Sequence, residues 1–393
     1  MKGTMSLLSE YSPGTEPQAL YSEAELAAME RTHRRRTRGW LALALSFVIL
    51  LALALWPTSY VIQQPGPVFN TLGTVTIDDE KVPMVTVKGA ETFETGGALD
   101  MLTVQAVGNR EERPNWFEIA LAWFSPSKAV VPVEALFPEG VSTEQREAEN
   151  AALMVDSQQD AIAAALTELG YDFPAQLAVG QVADDAPADG KLKVDDEILA
   201  VNDVAVSDLS SLRDAIAANG TEKPAVFDIV RGGVPMTVSI TPVPAKSADG
   251  EDASIIGIAT KVLYDFPVDV TIQLDNVGGP SAGMMFALGI IDKMTPGELN
   301  GGENVAGTGT IDAEGTVGPI GGIRQKLYGA LDAGASYFLA PEANCNEVVG
   351  HVPDGLRVLS VATLDDSLAA LAAIESSGDL DALPTCEAPA TAD

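Results

Sequence analysis

The sequence predicts an α+β protein with a single N-terminal transmembrane helix, and three observations lead to this architecture. One uncharged apolar run near the N-terminus is long enough to cross a bilayer. Beyond that run, short alternating segments broken by glycine and proline are typical of β-strands. Other stretches have apolar residues three and four positions apart, which predicts helices that bury one face.

The apolar run is Trp40–Trp56, which reads WLALALSFVILLALALW and is followed by no second run of comparable length. At about 1.5 Å per helical residue, about 17 to 21 residues span a hydrocarbon core of about 30 Å. A dense basic cluster at 31–38 directly precedes it. The positive-inside rule therefore predicts a cytoplasmic tail at 1–38 and a membrane helix at 39–60, with the rest of the chain extracytoplasmic.

A cleaved signal peptide is the alternative for this run. Its charged leader would be unusually long, and the Ala-x-Ala patterns at 42–44 and 52–54 lie inside the run and not after it. We therefore favour an uncleaved, single-pass anchor.

The composition excludes several classes of function. With a formal net charge of −33 the chain has no excess of basic side chains to neutralise phosphates, so we expect no nucleic-acid partner. The chain has two cysteines and two histidines, which are scattered along the sequence and form no cluster of four ligands for a structural zinc site. We expect neither a metal nor a cofactor. Cys345 and Cys386 can pair in an oxidising compartment or remain free thiols.

Beyond the membrane helix the chain divides into further segments. Residues 61–170 combine short strands with helices, and 171–245 form a compact unit of strands around one helix. A linker at 246–254 leads to a last domain at 255–375 with alternating strand and helix patterns. A polar tail, 376–393, follows.

Two helical stretches lie in the first of these segments. Residues 143–169 predict a helix that ends at Gly170. Residues 116–124 read WFEIALAWF and form either an amphipathic helix lying on the bilayer or a helix packed in the core or against another subunit. For this second stretch we prefer packing against protein.

The unit at 171–245 contains strands at 177–182 and 197–201, a helix capped by Ser207-Asp208, and a hairpin that turns at Gly232-Gly233. This order of elements resembles a PDZ domain of the kind found in envelope proteases. Asp195-Asp196 stands where such domains usually have Gly-Asp. No glycine-containing loop for a terminal carboxylate is evident at 171–174, which disfavours capture of a peptide C-terminus and leaves strand addition at the sheet edge open.

A tight turn precedes an apolar helix in the last domain. Residues 276–283 read NVGGPSAG, and MMFALGII follows. This pattern places Ser281 at or beside a helix N-terminus, where free backbone N–H groups favour negative charge. A serine in that position suits nucleophilic attack next to an oxyanion hole of main-chain donors. Serine is also a preferred helix cap, so this segment alone leaves both interpretations open.

A second segment supplies a candidate base. Residues 305–333 predict a strand, a turn, a second strand, a Gly-Gly pair and a helix with Lys326 in its first two turns. Apolar neighbours can bury the lysine amine, which lowers its pKa far below the usual value of about 10.4. His33 is predicted to be cytoplasmic, so His351 is the remaining candidate for a Ser-His-Asp triad. Taken alone, Lys326 could also be a solvated helix lysine.

Together these segments resemble the proteolytic domain of the Lon family. There, a serine in a Gly-Pro-Ser-Ala-Gly motif pairs with a lysine that follows a Pro-Ile-Gly-Gly segment, and residues 279–283 and 319–322 carry these motifs. Thr308-Gly309 between them also matches. The resemblance implies Ser281 as the nucleophile, Lys326 as the base and Thr308 as a hydroxyl that holds the lysine amine. It also implies a homo-oligomer, because Lon-type domains commonly form hexameric rings.

No G-x-x-x-x-G-K-[ST] phosphate loop occurs in the sequence, since Gly190-Lys191 is followed by leucine. We therefore expect an ATP-independent, membrane-anchored serine endopeptidase that cleaves unfolded or flexible extracytoplasmic proteins. The main alternative is a catalytically inert PDZ-bearing scaffold or holdase. A hydrolase that uses His351 and a structural envelope protein are further alternatives.

Overall fold

The computed structural model describes residues 23–77, 79–246, 252–274 and 277–386. The first 22 residues of the predicted cytoplasmic tail lie outside the described residues. So do most of the predicted linker, Asn276 of the glycine-rich turn, and the end of the polar tail.

The helices are α1 (Glu23–Ala54), α2 (Trp116–Trp123), α3 (Val133–Leu136), α4 (Thr143–Glu168), α5 (Leu209–Asn219), α6 (Gly283–Met294), α7 (Ile323–Asp332), α8 (Cys345–Val348) and α9 (Leu364–Glu375). Short 3-10 turns at Glu342–Asn344 and Leu380–Ala382 accompany them.

The first strands are β1 (Tyr60–Asn70), β2 (Thr74–Ile77), β3 (Glu80–Pro83), β4 (Val85–Lys88), β5 (Ala98–Val107), β6 (Ala129–Pro132), β7 (Ala175–Val182), β8 (Glu197–Val201), β9 (Val204–Ala205) and β10 (Ala225–Arg231). The later ones are β11 (Val234–Ile240), β12 (Val243–Lys246), β13 (Asp252–Ile255), β14 (Ile258–Tyr264), β15 (Asp269–Ile272), β16 (Asn304–Gly307), β17 (Thr310–Ile311), β18 (Val317–Gly318), β19 (Tyr337–Pro341) and β20 (Arg357–Val361).

A mixed sheet of order β20-β19-β16-β5-β1-β6 organises the larger core. The first four strands are parallel to one another, and β1 runs antiparallel to both of its neighbours. Successive side chains of a strand point to opposite faces, so Leu339 packs with α6 and α9 on one face while Phe338 packs with α7 on the other. The predicted α+β class is confirmed.

A second sheet, of order β11-β10-β8-β7-β14 with β9 beside β8, wraps α5. The strands, helix and hairpin expected at 171–245 are all present here. β14 also joins this sheet by pairing with β7, although the sequence placed residues 258–264 in the last domain. That domain boundary stays a prediction.

Asp195 and Asp196 replace the usual Gly-Asp pair without disturbing this second sheet. Asp195 adopts the left-handed conformation (φ +70°) that favours glycine. The buried Asp196 carboxylate accepts hydrogen bonds from Arg231 Nε at 2.7 Å and Nη2 at 2.6 Å. Burial alone would raise the pKa of Asp196, but these bonds hold it below its usual value.

Helix α4 connects the two sheets. Ser142 caps its N-terminus by accepting from the Gln145 backbone N–H, and its buried face packs against α6. At its centre Asp160 accepts a hydrogen bond from the Tyr264 hydroxyl at the end of β14. Burial raises the pKa of Asp160 to about 6, and its acidic neighbours add to the rise. α4 therefore contacts both the PDZ-like sheet and the core of the last domain.

Helix α1 contains the predicted membrane span. Arg36–Ala54 is long and apolar enough to cross a membrane, and no other helix in the described ranges meets that condition. Protein covers none of this stretch, so it is not a core helix. Trp40 and Trp56 lie at its two ends, as expected for rings at an interface.

Helix α2 forms at 116–123, as predicted. Asn115 and Glu118 make a reciprocal capping box at its N-terminus. Ile119 and Ala122 are buried against Ile62 of β1, whereas most of the other apolar side chains of α2 are exposed. Packing against protein, our preferred interpretation for this stretch, is therefore seen on one face only.

A disulfide joins Cys345 to Cys386, 41 residues apart. The Ser360 backbone N–H of β20 also donates to the Pro384 carbonyl, which holds Pro384 beside this edge strand. The sequence left open whether these two cysteines are paired or free, and in the structure they are paired. A lasting disulfide is typical of proteins outside the cytoplasm.

Replacing both cysteines, Cys345→Ala with Cys386→Ala, should lower the free energy of unfolding. The expected loss is up to about 4 kcal/mol, because a closed loop of this length restricts the unfolded chain. Denaturant unfolding of the full chain measures it. Reductant should destabilise the unmodified chain and leave the double variant unchanged; equal midpoints for the two chains without reductant would contradict the prediction.

Candidate active site

The turn before α6 holds Ser281 in place. Gly279 has φ +91° there, a conformation in which a side chain would be strained. Its backbone N–H donates to the Asn150 carbonyl of α4 at 2.9 Å, and Ser157 Oγ donates to the Pro280 carbonyl at 3.0 Å. α4 therefore fixes the turn from one side while α6 continues it into the core.

Lys326 approaches Ser281 from the opposite face of the sheet. It lies in the first turn of α7 and is 2% exposed. Its Nζ is 2.8 Å from Ser281 Oγ and 2.8 Å from Thr308 Oγ1. The three residues that the sequence singled out are therefore in direct contact.

Thr308 follows the last residue of β16 and is fully buried. Its hydroxyl donates to the Ser281 carbonyl at 2.9 Å, so its one proton is already used and its oxygen accepts from Lys326. A neutral amine that donates to Thr308 keeps its lone pair for the Ser281 hydroxyl. The arrangement aims the lone pair of the lysine at the serine proton.

Burial lowers the pKa of Lys326 to about 7, because desolvation penalises the charged ammonium. Its described hydrogen-bond partners are two hydroxyls, and within the described residues no carboxylate forms an ion pair with it. A substantial fraction of the amine is therefore neutral near pH 7.

Two main-chain donors are available beside the serine. The backbone N–H groups of Ser281 and Ala282 donate to no group in the described parts of the chain. Both precede α6, whose N-terminal end favours negative charge. They are suitably placed to stabilise an oxyanion.

A cleft of about 510 Å³ opens onto Ser281 and Lys326. One wall is the second half of β5, because the pairing of β16 with β5 ends at Met101. The residues that follow, Leu102–Gln105, line the cleft and pair on their other edge with β1. The remaining wall includes Met154 of α4.

Several residues of this site could not be found from the sequence. Ser157, Asn150 and the β5 wall lie more than 120 positions from Ser281, and nothing in their local pattern marks them. His351 does not line the cleft; its Nδ1 lies 3.0 Å from the Val349 carbonyl. Within the described residues no cluster of three or more His, Cys, Asp or Glu side chains is placed to hold a metal ion.

The Gly-Gly pair before α7 provides a test of this local geometry. Gly322 has φ +71°, and an added Cβ would lie 2.8 Å from Val104 Cγ2; at Gly321 an added Cβ meets nothing within 4 Å. Gly322→Ala should lower the free energy of unfolding by about 1–3 kcal/mol. The matched Gly321→Ala should stay within about 0.5 kcal/mol of the parent. Equal denaturant midpoints for the two variants would contradict this geometry.

Comparison with known proteins agrees with this arrangement. The Lon protease (S16) C-terminal proteolytic domain matches residues 268–373, and a PDZ domain matches residues 140–241. Lon protease from Geobacter metallireducens is 34% identical over 109 residues, 27% of this chain and 13% of that protein. Lon protease 1 from Sorangium cellulosum is 36% identical over 122 residues, 30% of this chain and 15% of that protein. The chain thus spans only a small part of these relatives.

Solved structures match the PDZ region. The PDZ domain of an SdrC-like protein from Listeria monocytogenes is 22% identical, covering 22% of this chain and 86% of that one, with a TM-score of 0.20. The second domain of a Listeria innocua protein is 23% identical, covering 23% and 84%, with a TM-score of 0.19. The two family matches confirm the predicted resemblances at the level of domains: the chain contains a PDZ domain followed by a Lon-type C-terminal proteolytic domain.

Proposed function

We propose that this chain is a serine endopeptidase that hydrolyses peptide bonds through a Ser281–Lys326 dyad. The observation that carries the proposal is the 2.8 Å contact between Ser281 Oγ and a lysine amine that is almost completely buried. The matches to Lon protease support the same reaction.

In the first half of the reaction, Ser281 Oγ attacks the carbonyl carbon of the substrate while Lys326 Nζ accepts the hydroxyl proton. The negative charge on the carbonyl oxygen is stabilised by the N–H groups of Ser281 and Ala282. As the tetrahedral intermediate collapses, Lys326 returns the proton to the departing amine. An acyl-enzyme on Ser281 remains.

In the second half, a water molecule takes the place of the released amine. Lys326 removes one proton from this water as it attacks the ester, and the same oxyanion donors act again. The proton then returns to Ser281 Oγ, and the new carboxylic acid leaves and loses its remaining proton to solvent. Thr308 acts by positioning, because it holds the lysine amine and the Ser281 carbonyl together.

The open edge of β5 gives the substrate its orientation. Beyond Met101 no described strand pairs with this edge, so an extended peptide can add to it as a further strand. Such a peptide would pass along the cleft beside Ser281. A segment that is already paired or packed in a folded protein is not free to add to this edge, so we propose unfolded or flexible chains as substrates.

The anchored location and the independence from ATP belong to the same proposal. The exposed span in α1, preceded by the basic cluster at 31–38, supports an extracytoplasmic catalytic domain. The disulfide supports an oxidising compartment. No phosphate-loop motif occurs among the 393 residues, which supports hydrolysis without ATP. The PDZ domain would bind protein or peptide partners, and a homo-oligomeric ring stays part of the proposal by family resemblance.

An inert PDZ-bearing scaffold is the alternative. A scaffold has no use for a lysine buried against a serine hydroxyl, because burying an amine without an acidic partner is costly. The geometry therefore favours the enzyme.

Substitutions in the dyad test the proposal directly. Ser281→Ala and Lys326→Met should each reduce casein hydrolysis by the full chain at least about 10³-fold. The nucleophile and the base act as a unit, so the loss of either one disables the other. His351→Ala is the matched control and should keep parent activity, since His351 lies outside the cleft. Loss of activity in His351→Ala together with retention in Lys326→Met would refute the dyad.

The pH dependence of kcat/KM reports the lysine. The folded pKa of Lys326 is lowered to about 7, so the amine is protonated and inactive below that pH and neutral above it. Activity should rise about tenfold per pH unit up to about pH 7 and level off above it. The burial of Lys326 therefore sets this limb near neutrality.

A second buried group titrates nearby and needs a control. The pKa of Asp160 is raised to about 6, and α4 carries it close to the active-site turn. Asp160→Asn should leave the limb near pH 7 in place. A flat profile from pH 5 to 8 in the parent would contradict a lysine base.

A further inference from the structure

Helix α2 is apolar on two opposite faces. Ile119 and Ala122 face the sheet and are buried. Phe117, Leu121, Trp123 and Phe124 are 57%, 57%, 65% and 88% exposed; we call them the α2 outer face. Three of them share the i, i+4, i+7 spacing that aligns residues on one side of a helix.

Close contacts attach α2 to the end of the membrane span. Pro57, the residue after Trp56, forms an isolated bridge with Asn115, the N-cap of α2. Both the backbone N–H and the hydroxyl of Thr58 donate to the Pro114 carbonyl at 2.9 Å. The start of α2 is therefore held at the level where α1 leaves the bilayer.

The length of α2 restricts where its outer face can be. Eight residues make a helix of about 12 Å, and the headgroup layer on each side of a bilayer is about 5–8 Å thick. Even a helix pointing straight away from the membrane would leave part of its length among the headgroups. A helix that lies flat would place all of it there.

The charge around α2 also fits a lipid surface. The chain as a whole has a net charge of −33, which an anionic membrane would repel. Residues 108–132 contain three basic side chains (Arg110, Arg113 and Lys128) and three acidic ones (Glu111, Glu112 and Glu118), a net charge of zero. Glu118 is already used in the capping box. This stretch of the chain thus carries no net negative charge of its own for an anionic membrane to repel.

We propose that the α2 outer face inserts into the lipid headgroup and upper acyl region beside the α1 span, and so docks the catalytic domain on the bilayer surface. Exposed tryptophan and phenylalanine side chains on a short helix are those that bind an interface of this kind. This inference rests on the membrane anchoring proposed above. A second copy of the chain is the competing occupant, and it would have to reach the same site through the headgroup layer.

Tryptophan fluorescence tests the docking in the full chain. With Trp40→Phe and Trp56→Phe in the span, the two remaining tryptophans, Trp116 and Trp123, both belong to α2. The protein is reconstituted in vesicles of phosphatidylcholine and phosphatidylglycerol, with part of the phosphatidylcholine brominated near the headgroup end of its acyl chains. The expected result is a blue-shifted emission that brominated lipid reduces at least twofold and aqueous acrylamide reduces little.

Two matched variants sharpen this measurement. One variant combines Phe117→Ser, Leu121→Ser and Phe124→Ser, which removes apolar side chains that make little contact with the fold. Its tryptophan emission should become less sensitive to brominated lipid and more sensitive to acrylamide. Val234→Ser, an equally exposed apolar position on the PDZ hairpin, should change neither. Casein hydrolysis of each variant in detergent confirms that the catalytic domain is folded.

Three outcomes would overturn the proposal. Emission quenched by acrylamide and insensitive to brominated lipid would mean that the α2 outer face stays in water. Shielding from both quenchers that is lost when the protein is diluted in lipid would identify a second copy as the occupant. Failure of the chain to float with the vesicles would remove the anchoring and the docking together. Loss of Ser281-dependent hydrolysis in a chain that floats would instead affect only the proposed peptidase activity.

Discussion

The buried amine of Lys326 is the interaction on which the site depends. Desolvation makes the neutral form accessible near pH 7, and the two hydroxyls around it satisfy the amine without restoring its charge. A carboxylate in place of Thr308 would pair with the ammonium and raise its pKa. The Thr308 hydroxyl therefore has two effects. It is uncharged, so it does not raise the pKa of Lys326, and it accepts a hydrogen bond from the lysine amine.

The length of one strand brings the dyad together. Ser281 belongs to the face of the sheet that packs on α6, and Lys326 belongs to the face that packs on α7. β16 contains only Asn304–Gly307, so beyond its last residue nothing separates the two faces next to β5. Thr308 occupies the end of this gap, and the same gap exposes the β5 edge that lines the cleft. A longer β16 would close the cleft and separate the serine from the lysine.

The sequence allowed much of the site to be predicted, because its chemistry is local. The turn around Ser281, the Gly-Gly pair before α7 and Thr308 each have a short motif that could be read directly. The helix at 143–169 and the hairpin at Gly232-Gly233 also followed from periodicity and turn residues. The fixing of the Ser281 turn by α4 could not be predicted, since it depends on one carbonyl and one serine hydroxyl that are 123 or more positions away. The joining of β14 to the PDZ sheet was missed for a similar reason: pairing across about 80 residues leaves no local pattern.

Strand β1 runs directly from the membrane exit to the active site. Its first residue, Tyr60, follows the span closely, and Gln64 lies opposite Gln105 at the mouth of the cleft. Four residues of strand extend about 13 Å. With α1 anchored in a membrane as proposed, the short length of β1 limits how far above the bilayer a peptide bond can lie and still be cut. A polypeptide that is itself tethered in the same membrane could meet that height with only a short stretch of loose chain, whereas a freely diffusing one would first have to come down to it.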